Sequence, residues 1–203
     1  MLEASGLHCE RGGRTLFRGL SFALNKGELL RIAGANGRGK TSLLRILCGL
    51  LPPTTGEVRW KGEPIRSLKE DYSRQLVYLG HAPAVKDEFT AFENLMFTWI
   101  IAGKGMPVPA DSLTHALSRL KIPMNSPVKK LSQGQRRRVL LARLALSEAQ
   151  LLWLLDEPFA ALDADAVRIV EDLVAAHAKR GGIVVYTSHQ ESRVPGRELV
   201  LDA

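Results

Sequence analysis

The chain has 203 residues, 45% of them hydrophobic and 24% charged, with a formal net charge of +7. Those values describe one large globular domain, or one domain carrying an insertion, and exclude a disordered or low-complexity chain. A basic balance fits solubility, an anionic ligand or an anionic membrane face, and by itself does not select nucleic acid.

The opening MLEASGLHCE has no basic segment ahead of an apolar core, so no signal peptide is expected there. The apolar stretches LLWLL and LMFTWIIAG fall short of the ~20 residues needed to cross a bilayer. Cys9 and Cys48 lie far apart and outside any metal spacing, and read as free thiols of a cytoplasmic protein. Cys48, inside LLRILCGLL, has the surroundings of a small core residue.

In chain order, residues 28–33 (ELLRIA) form the first clear strand, GANGRGKT at 34–41 follows, and SLLRILCGLL continues as a helix. Gly34, Gly39, Lys40 and Thr41 meet the pattern G-x-x-x-x-G-K-[ST] in this strand–loop–helix setting. Glycines let successive backbone N–H groups turn toward a phosphate, and Lys40 adds a point charge for the β- and γ-phosphates. The Thr41 hydroxyl can ligate Mg²⁺, and the helix N-terminus adds amides and dipole to the same anion. Gly34, Ala35, Asn36, Gly37, Arg38, Gly39, Lys40, Thr41 and Ser42 are therefore the expected nucleotide cradle. Leu43, Leu44, Leu47 and Leu50 recur at helical spacing and are expected to pack that helix on a sheet.

TGEVRWKGEPI at 55–65 reads as a short strand with turn glycines, and QLVYLG at 75–80 as a buried one. Residues 85–135 then change character. Thr90 and Glu93 have capping-box spacing, and Phe92, Leu95, Met96, Trp99 and Ile100 form one apolar stripe. The stripe fits core packing, or in part a docking face for a membrane partner. Asp111 is expected to cap a second helix carrying Leu113, Ala116, Leu117 and Leu120.

LSQGQRRRVLLARLAL opens with Ser132 as an N-cap and continues with Val139, Leu140, Ala142, Leu144 and Leu146 in a helical run. Arginines in a first turn oppose the helix dipole by a few tenths of a kcal/mol each, and a nearby anionic nucleotide would offset that. LLWLLDEP at 151–158 reads as a strand buried on both faces, with two carboxylates at the end where open α/β sheets bind ligands. Asp156 suits Mg²⁺, and Glu157, pointing the other way, can deprotonate a water. IVVYTSH at 183–189 repeats the pattern and ends at His189, placed for a γ-phosphate.

Taken in order, these motifs resemble the nucleotide-binding subunit of ATP-binding cassette (ABC) transporters. GANGRGKT is similar to Walker A, LSQGQ to the family signature, LLWLLDEP to Walker B with its catalytic glutamate, AALD at 160–163 to the D-loop, and His189 to the switch histidine. The resemblance implies an α/β P-loop NTPase: one ABC-type domain over 1–203, with an antiparallel β part and an inserted helical subdomain at about 85–135. It implies ATP and Mg²⁺ as cofactors, Glu157 and His189 as catalytic residues, and Ser132, Gly134 and Gln135 facing the nucleotide bound by a second copy in an ATP sandwich. It implies integral-membrane partner subunits, no nucleic-acid partner, and a peripheral place on the cytoplasmic face of the bacterial inner membrane.

Three positions depart from the family pattern. Gln133 replaces the first signature glycine, and His81 stands where a metal-holding glutamine is usual. No aromatic lies near residue 11, so Arg11 is the nearest candidate to stack on adenine, with Phe17 as a substitute. RTLFRGLSF, YLGH and KKLSQGQRRRVLLARL are most similar to the ATP-binding subunit of the bacterial haem exporter of cytochrome c maturation. A motor for another solute, or an ABC-type ATPase of DNA repair or translation, are the other readings. The stretch between Lys40 and Leu131 carries no sustained heptads, against the coiled coil of repair members, and one cassette is present where translation members have two.

Overall fold

Strands with one wet face and strands with none separate into two sheets. The computed structural model describes residues 1–82, 84–102, 109–189 and 193–201. In chain order the elements are β1 (Leu2–Arg11), β2 (Arg14–Leu24), β3 (Leu29–Ala33), α1 (Lys40–Leu47), β4 (Thr55–Trp60), β5 (Glu63–Pro64), α2 (Ile65–Leu68), α3 (Glu70–Ser73) and β6 (Leu76–Leu79). There follow α4 (Ala91–Ile101), α5 (Ala110–Arg119), a 3₁₀ turn (Val128–Lys130), α6 (Gln133–Ala145), β7 (Leu152–Leu155), α7 (Ala164–Lys179), β8 (Ile183–Thr187) and β9 (Arg197–Val200). One sheet runs β2-β1-β4-β5, all neighbours antiparallel. The other runs β6-β7-β8-β3-β9, all neighbours parallel.

The parallel sheet explains the unbroken apolar runs. Along β7, Leu152 and Leu154 enter the core shared with α1 and the antiparallel sheet, while Trp153 and Leu155 enter the core under α4 to α7. Along β8, Ile183 and Val185 take the first side and Val184 and Tyr186 the second. With side chains alternating faces and both faces covered, no position tolerates a polar residue until the strand ends. The carboxyl ends of β7 and β8 therefore carry their first polar groups, and they lie side by side, next to the end of β3.

Local signals hold with three corrections. Thr90 and Glu93 close a capping box on α4, and Ser132 and Gln135 close another on α6. Leu50 does not pack α1 on the sheet: it lies beyond the helix end and is 68% exposed. Asp111 is not a cap, because α5 begins at Ala110 with Pro109 before it, so Asp111 sits inside the first turn. The stripe on α4 is only partly core. Ala91 and Leu95 are buried, Phe92 and Met96 are half-buried, and Ile100 is exposed. The buried place in that face goes to Asn94, whose carboxamide accepts from the Lys86 N–H at 2.7 Å and donates to the Lys86 carbonyl at 3.0 Å. Burial there is bought with hydrogen bonds to an incoming loop, which periodicity cannot reveal.

Helix α7, capped by the Asp163 carboxylate accepting from the Ala166 N–H, lies against β8. Its His177 is buried and stacks on Trp153, ring centroids 3.8 Å apart and planes 6° from parallel. The fit admits only glycine at 182, where a Cβ would stand 2.1 Å from His177 Nε2. Burial, helped by the charge of Arg180, pushes the His177 imidazole down to about 4. Between that value and the ordinary 6.5, the unfolded chain binds a proton the folded chain refuses. The resulting stability is complete above the window and is lost as pH falls through it, at about 1.4 kcal/mol per pH unit for one proton. His177→Phe keeps a ring on Trp153 without the proton. Its urea midpoint should fall less steeply than that of the parent between pH 7 and 4.5, and parallel declines would refute the assignment.

Candidate nucleotide site

The loop at 34–41 links β3 to α1, and its shape depends on two glycines with left-handed backbone. Gly34 has φ 135, and a Cβ there would stand 2.8 Å from the Leu201 carbonyl oxygen. Gly39, directly before α1, has φ 93, and a Cβ would meet Leu16 at 2.9 Å and the Phe17 ring at 3.2 Å. Any side chain at either place forces the loop off the strand or off the antiparallel sheet.

Beside the loop lies a cavity of about 460 Å³ lined by Asn36, Gly37, Gly39, Lys40, Thr41 and Ser42 from the loop, together with His81, Asp156, Glu157 and His189. Leu16 and Ala160 complete the lining. The Lys40 ammonium, almost fully buried, donates to the carbonyls of Gly34 (2.7 Å) and Ala35 (3.2 Å) and meets His189 Nε2 at 3.1 Å.

Asp156 is 2% exposed and spends both oxygens on alcohols. Thr41 Oγ1 donates to Oδ2 and Thr187 Oγ1 to Oδ1, each at 2.8 Å. Thr187 Oγ1 in turn accepts from the Glu157 N–H at 2.8 Å. Glu157 itself takes a left-handed backbone, φ 50. Its Oε1 is sealed from solvent and receives no hydrogen bond among the described residues, with His189 Nε2 3.4 Å away. Glu157 also lines the cavity, where a carboxylate can act as general base toward a water.

A metal test is possible on these contacts. Thr41 and Asp156 offer oxygen ligands only, as Mg²⁺ prefers, and Mg²⁺ fills its remaining positions with water and phosphate oxygens. No group of three His, Cys, Asp or Glu side chains stands ready to hold a metal alone among the described residues. The pair fits a metal that arrives with a nucleotide.

Other candidates lie elsewhere. Arg11 is not in the cavity: its guanidinium donates to the Pro52 carbonyl at 2.9 Å, on the rim of the antiparallel sheet. Leu16, with buried Phe17 behind it against Gly39, supplies the apolar wall instead. Arg38 is exposed at the loop tip and does not line the cavity. Ser132, Gly134 and Gln135 also lie outside it, at the start of α6, where Ser132 Oγ accepts from the Gln135 N–H and Gln135 Oε1 from the Ser132 N–H. A Cβ at Gly134 would stand 2.8 Å from the Ala161 carbonyl oxygen, so this helix start abuts the turn that follows Glu157.

The three arginines after this start are internal struts. Arg136 pairs with Asp87, and Arg138 with Asp163. Arg137, 5% exposed, donates to the carbonyls of Gly80 and His81 (3.1 Å each), Asp156 (2.6 Å) and Glu157 (2.8 Å). Burial pushes its guanidinium down from the ordinary value, while the Asp156 and Glu157 charges push it back up. The charges expected to oppose the α6 dipole are thus met by carboxylates and carbonyls of the same chain.

Comparison with known proteins now has geometry to rest on. A family model described as ABC transporter matches residues 17–160. The chain belongs to the ABC transporter family. A cytochrome c biogenesis ATP-binding export protein of Aromatoleum aromaticum is 50% identical over 100% of this chain and 94% of its own length. One of the same description from Dechloromonas aromatica is 48% identical over 99% and 100%. Among solved structures, an ABC transporter ATP-binding protein from Pyrococcus furiosus superposes with TM-score 0.83 at 25% identity, covering 98% of this chain and 96% of the other. The bacterial ABC transporter cassette MJ0796, solved as a dimer, gives TM-score 0.85 at 23% identity, covering 99% and 94%. The mixed α/β cassette fold is therefore shared from end to end.

Within this cassette, sequence reasoning missed Thr187 and Arg137. Thr187 breaks the apolar run of β8 one residue before the SH pair, which was the available signal. Arg137 is hidden in a run of like residues. Thr187→Val removes one donor and one acceptor at constant shape, leaving Asp156 Oδ1 and the Glu157 N–H short of a partner. A loss of about 1–3 kcal/mol is expected in urea unfolding, and an unchanged midpoint would show that these bonds carry no weight.

Proposed function

We propose that the chain is the ATP-hydrolysing subunit of the exporter that serves haem delivery in cytochrome c biogenesis. The observation that carries this is the full-length identity with relatives of that description, one at 50% with coverage of 100% of this chain. ATP would lay its phosphates along Gly34 to Ser42, with Lys40 on the β- and γ-phosphates. Thr41 and Asp156 would hold Mg²⁺, which when bound neutralises phosphate charge; His81 lines the same cavity and would assist. Glu157, also in the cavity wall, takes the proton of the attacking water. His189, with Nε2 turned into the cavity, contacts the γ-phosphate.

Ser132, Gly134 and Gln135 lie outside this cavity because they serve the nucleotide of a second copy, which closes an ATP sandwich. A cassette of the same fold solved as a dimer bound to ADP and Pi supports that arrangement. No helix among the described residues is long and apolar enough to cross a membrane. As an exporter's ATP-hydrolysing subunit, the chain would meet the inner membrane's cytoplasmic face through integral-membrane subunits. A groove of about 340 Å³ between β6, α4 and α6, with Tyr78, Leu95, Trp99, Ile101, Arg143 and Leu146 in its wall, offers a seat for such a subunit. Phe97, Ile100 and Ile101 are exposed on the same helix.

Two outcomes follow. Glu157→Gln should bind ATP normally and lose hydrolysis by roughly 10²–10⁴-fold, the usual contribution of a general base, measured by phosphate release. Near-parental release would reject the assignment. A strain lacking the gene should lose holo-c-type cytochromes while keeping its other haem proteins, with recovery from the parent gene and none from Glu157→Gln. Normal c-type cytochromes in that strain would remove the haem reading and leave the ATPase reading standing.

A further inference from the structure

The backbone at Glu157 needs an external hold. A non-glycine residue at φ 50 is strained, and such a conformation persists only where its surroundings over-determine it. Thr187 fixes the N–H side of the residue. The carbonyl side, together with the carbonyl before it, is fixed by Arg137 Nη2. Its other terminal nitrogen, Nη1, holds the carbonyls of Gly80 and His81, which follow the neighbouring strand β6.

Three details separate this from ordinary packing. A buried guanidinium normally takes a carboxylate, and two lie nearby, yet Arg137 donates to four carbonyls and leaves both carboxylates to other work. Its Nε is buried without an acceptor among the described residues, so the side chain is aimed to satisfy its two Nη groups at the expense of Nε. Finally, Arg137 stands on α6, whose first residues lie outside the cavity and abut the turn after Glu157.

We propose that Arg137 is a positioning residue for hydrolysis, fixing the Glu157 carboxylate and the His81 backbone in register with the N-terminal end of α6. A displacement of that end by a nucleotide on a second copy would be passed through one rigid, planar fork to both walls of this chain's own site. The inference rests on Glu157 being the base. Arg137 touches neither nucleotide nor water.

The test uses the full chain and single-turnover hydrolysis of ATP, with rates referred to the number of nucleotide sites measured by binding. Arg137→Lys keeps the charge, but its donors sit on one atom and cannot span carbonyls on both walls. Its rate per bound site should fall about 10- to 100-fold, the cost of a misplaced catalytic group, while ATP affinity stays within about threefold. Combined with Glu157→Gln, it should slow the reaction no further than Glu157→Gln alone, since it acts through that carboxylate. A rate per site within twofold of the parent, a rate loss that follows lost binding sites, or additive losses in the double variant would each overturn the proposal. Where Arg137→Lys does not fold, Arg137→Gln is read by the same three criteria. Glu157→Gln measured alone tests the base itself: a slow Glu157→Gln beside a fast Arg137→Lys rejects only the positioning role, and a fast Glu157→Gln rejects both.

Discussion

Everything catalytic in this chain hangs on one buried carboxylate. Asp156 is held between two hydroxyls, Thr41 from the helix after the phosphate loop and Thr187 from the end of β8. Those bonds join the start of α1 to the carboxyl ends of two neighbouring parallel strands, β7 and β8, at a single residue. A carboxylate so buried is tolerated only because both oxygens are satisfied. The bonds that make it tolerable also set the loop against the strand that presents Glu157. Stability and site geometry therefore cannot be varied separately here.

A second layer of order comes from positive charge used inward. A run of three arginines on a basic protein suggests a surface, yet each is tied to its own chain. Arg138 binds the carboxylate that caps α7, and Arg136 binds Asp87 in the loop before α4. Arg137 ties the two cavity walls. Three separate segments converge on one helical turn, which makes the start of α6 the best-braced part of the helical layer.

The sequence displayed what depends on short, local rules. The phosphate loop was legible because glycine, lysine and threonine are needed at fixed spacing. β7 was legible because a strand buried on both faces has no polar residue until it ends. The capping box of α4 and the Ser132 cap of α6 were legible because each closes within four residues. What escaped depends on events outside each element's own repeat. Asn94 is buried by bonds to a loop, Leu50 is released by a helix that stops early, and Arg11 is captured by Pro52. β9, mostly exposed, pairs with β3 at the sheet edge and carries no alternation to mark it. α7 carries its own signal, Asp163 as cap and Val170, Leu173, Val174 and Ala178 at helical spacing, next to the carboxylate motif.

The order of strands in the parallel sheet has a consequence for biosynthesis. β3, which leads into the phosphate loop, lies between β8 and β9. Its neighbours thus come from the far end of the chain, and β7, β8 and β9 all leave the ribosome after α6. The antiparallel pair β1–β2 can form early, since its residues are contiguous. The phosphate loop has a helix behind it but no paired strand beneath it until β8 and β9 have been made. During that interval both edges of β3 present unpaired N–H and C=O groups over five residues, which unpaired strands of other chains can capture. A nucleotide cannot help the nascent chain past this stage, because the residues that would hold it are not yet assembled.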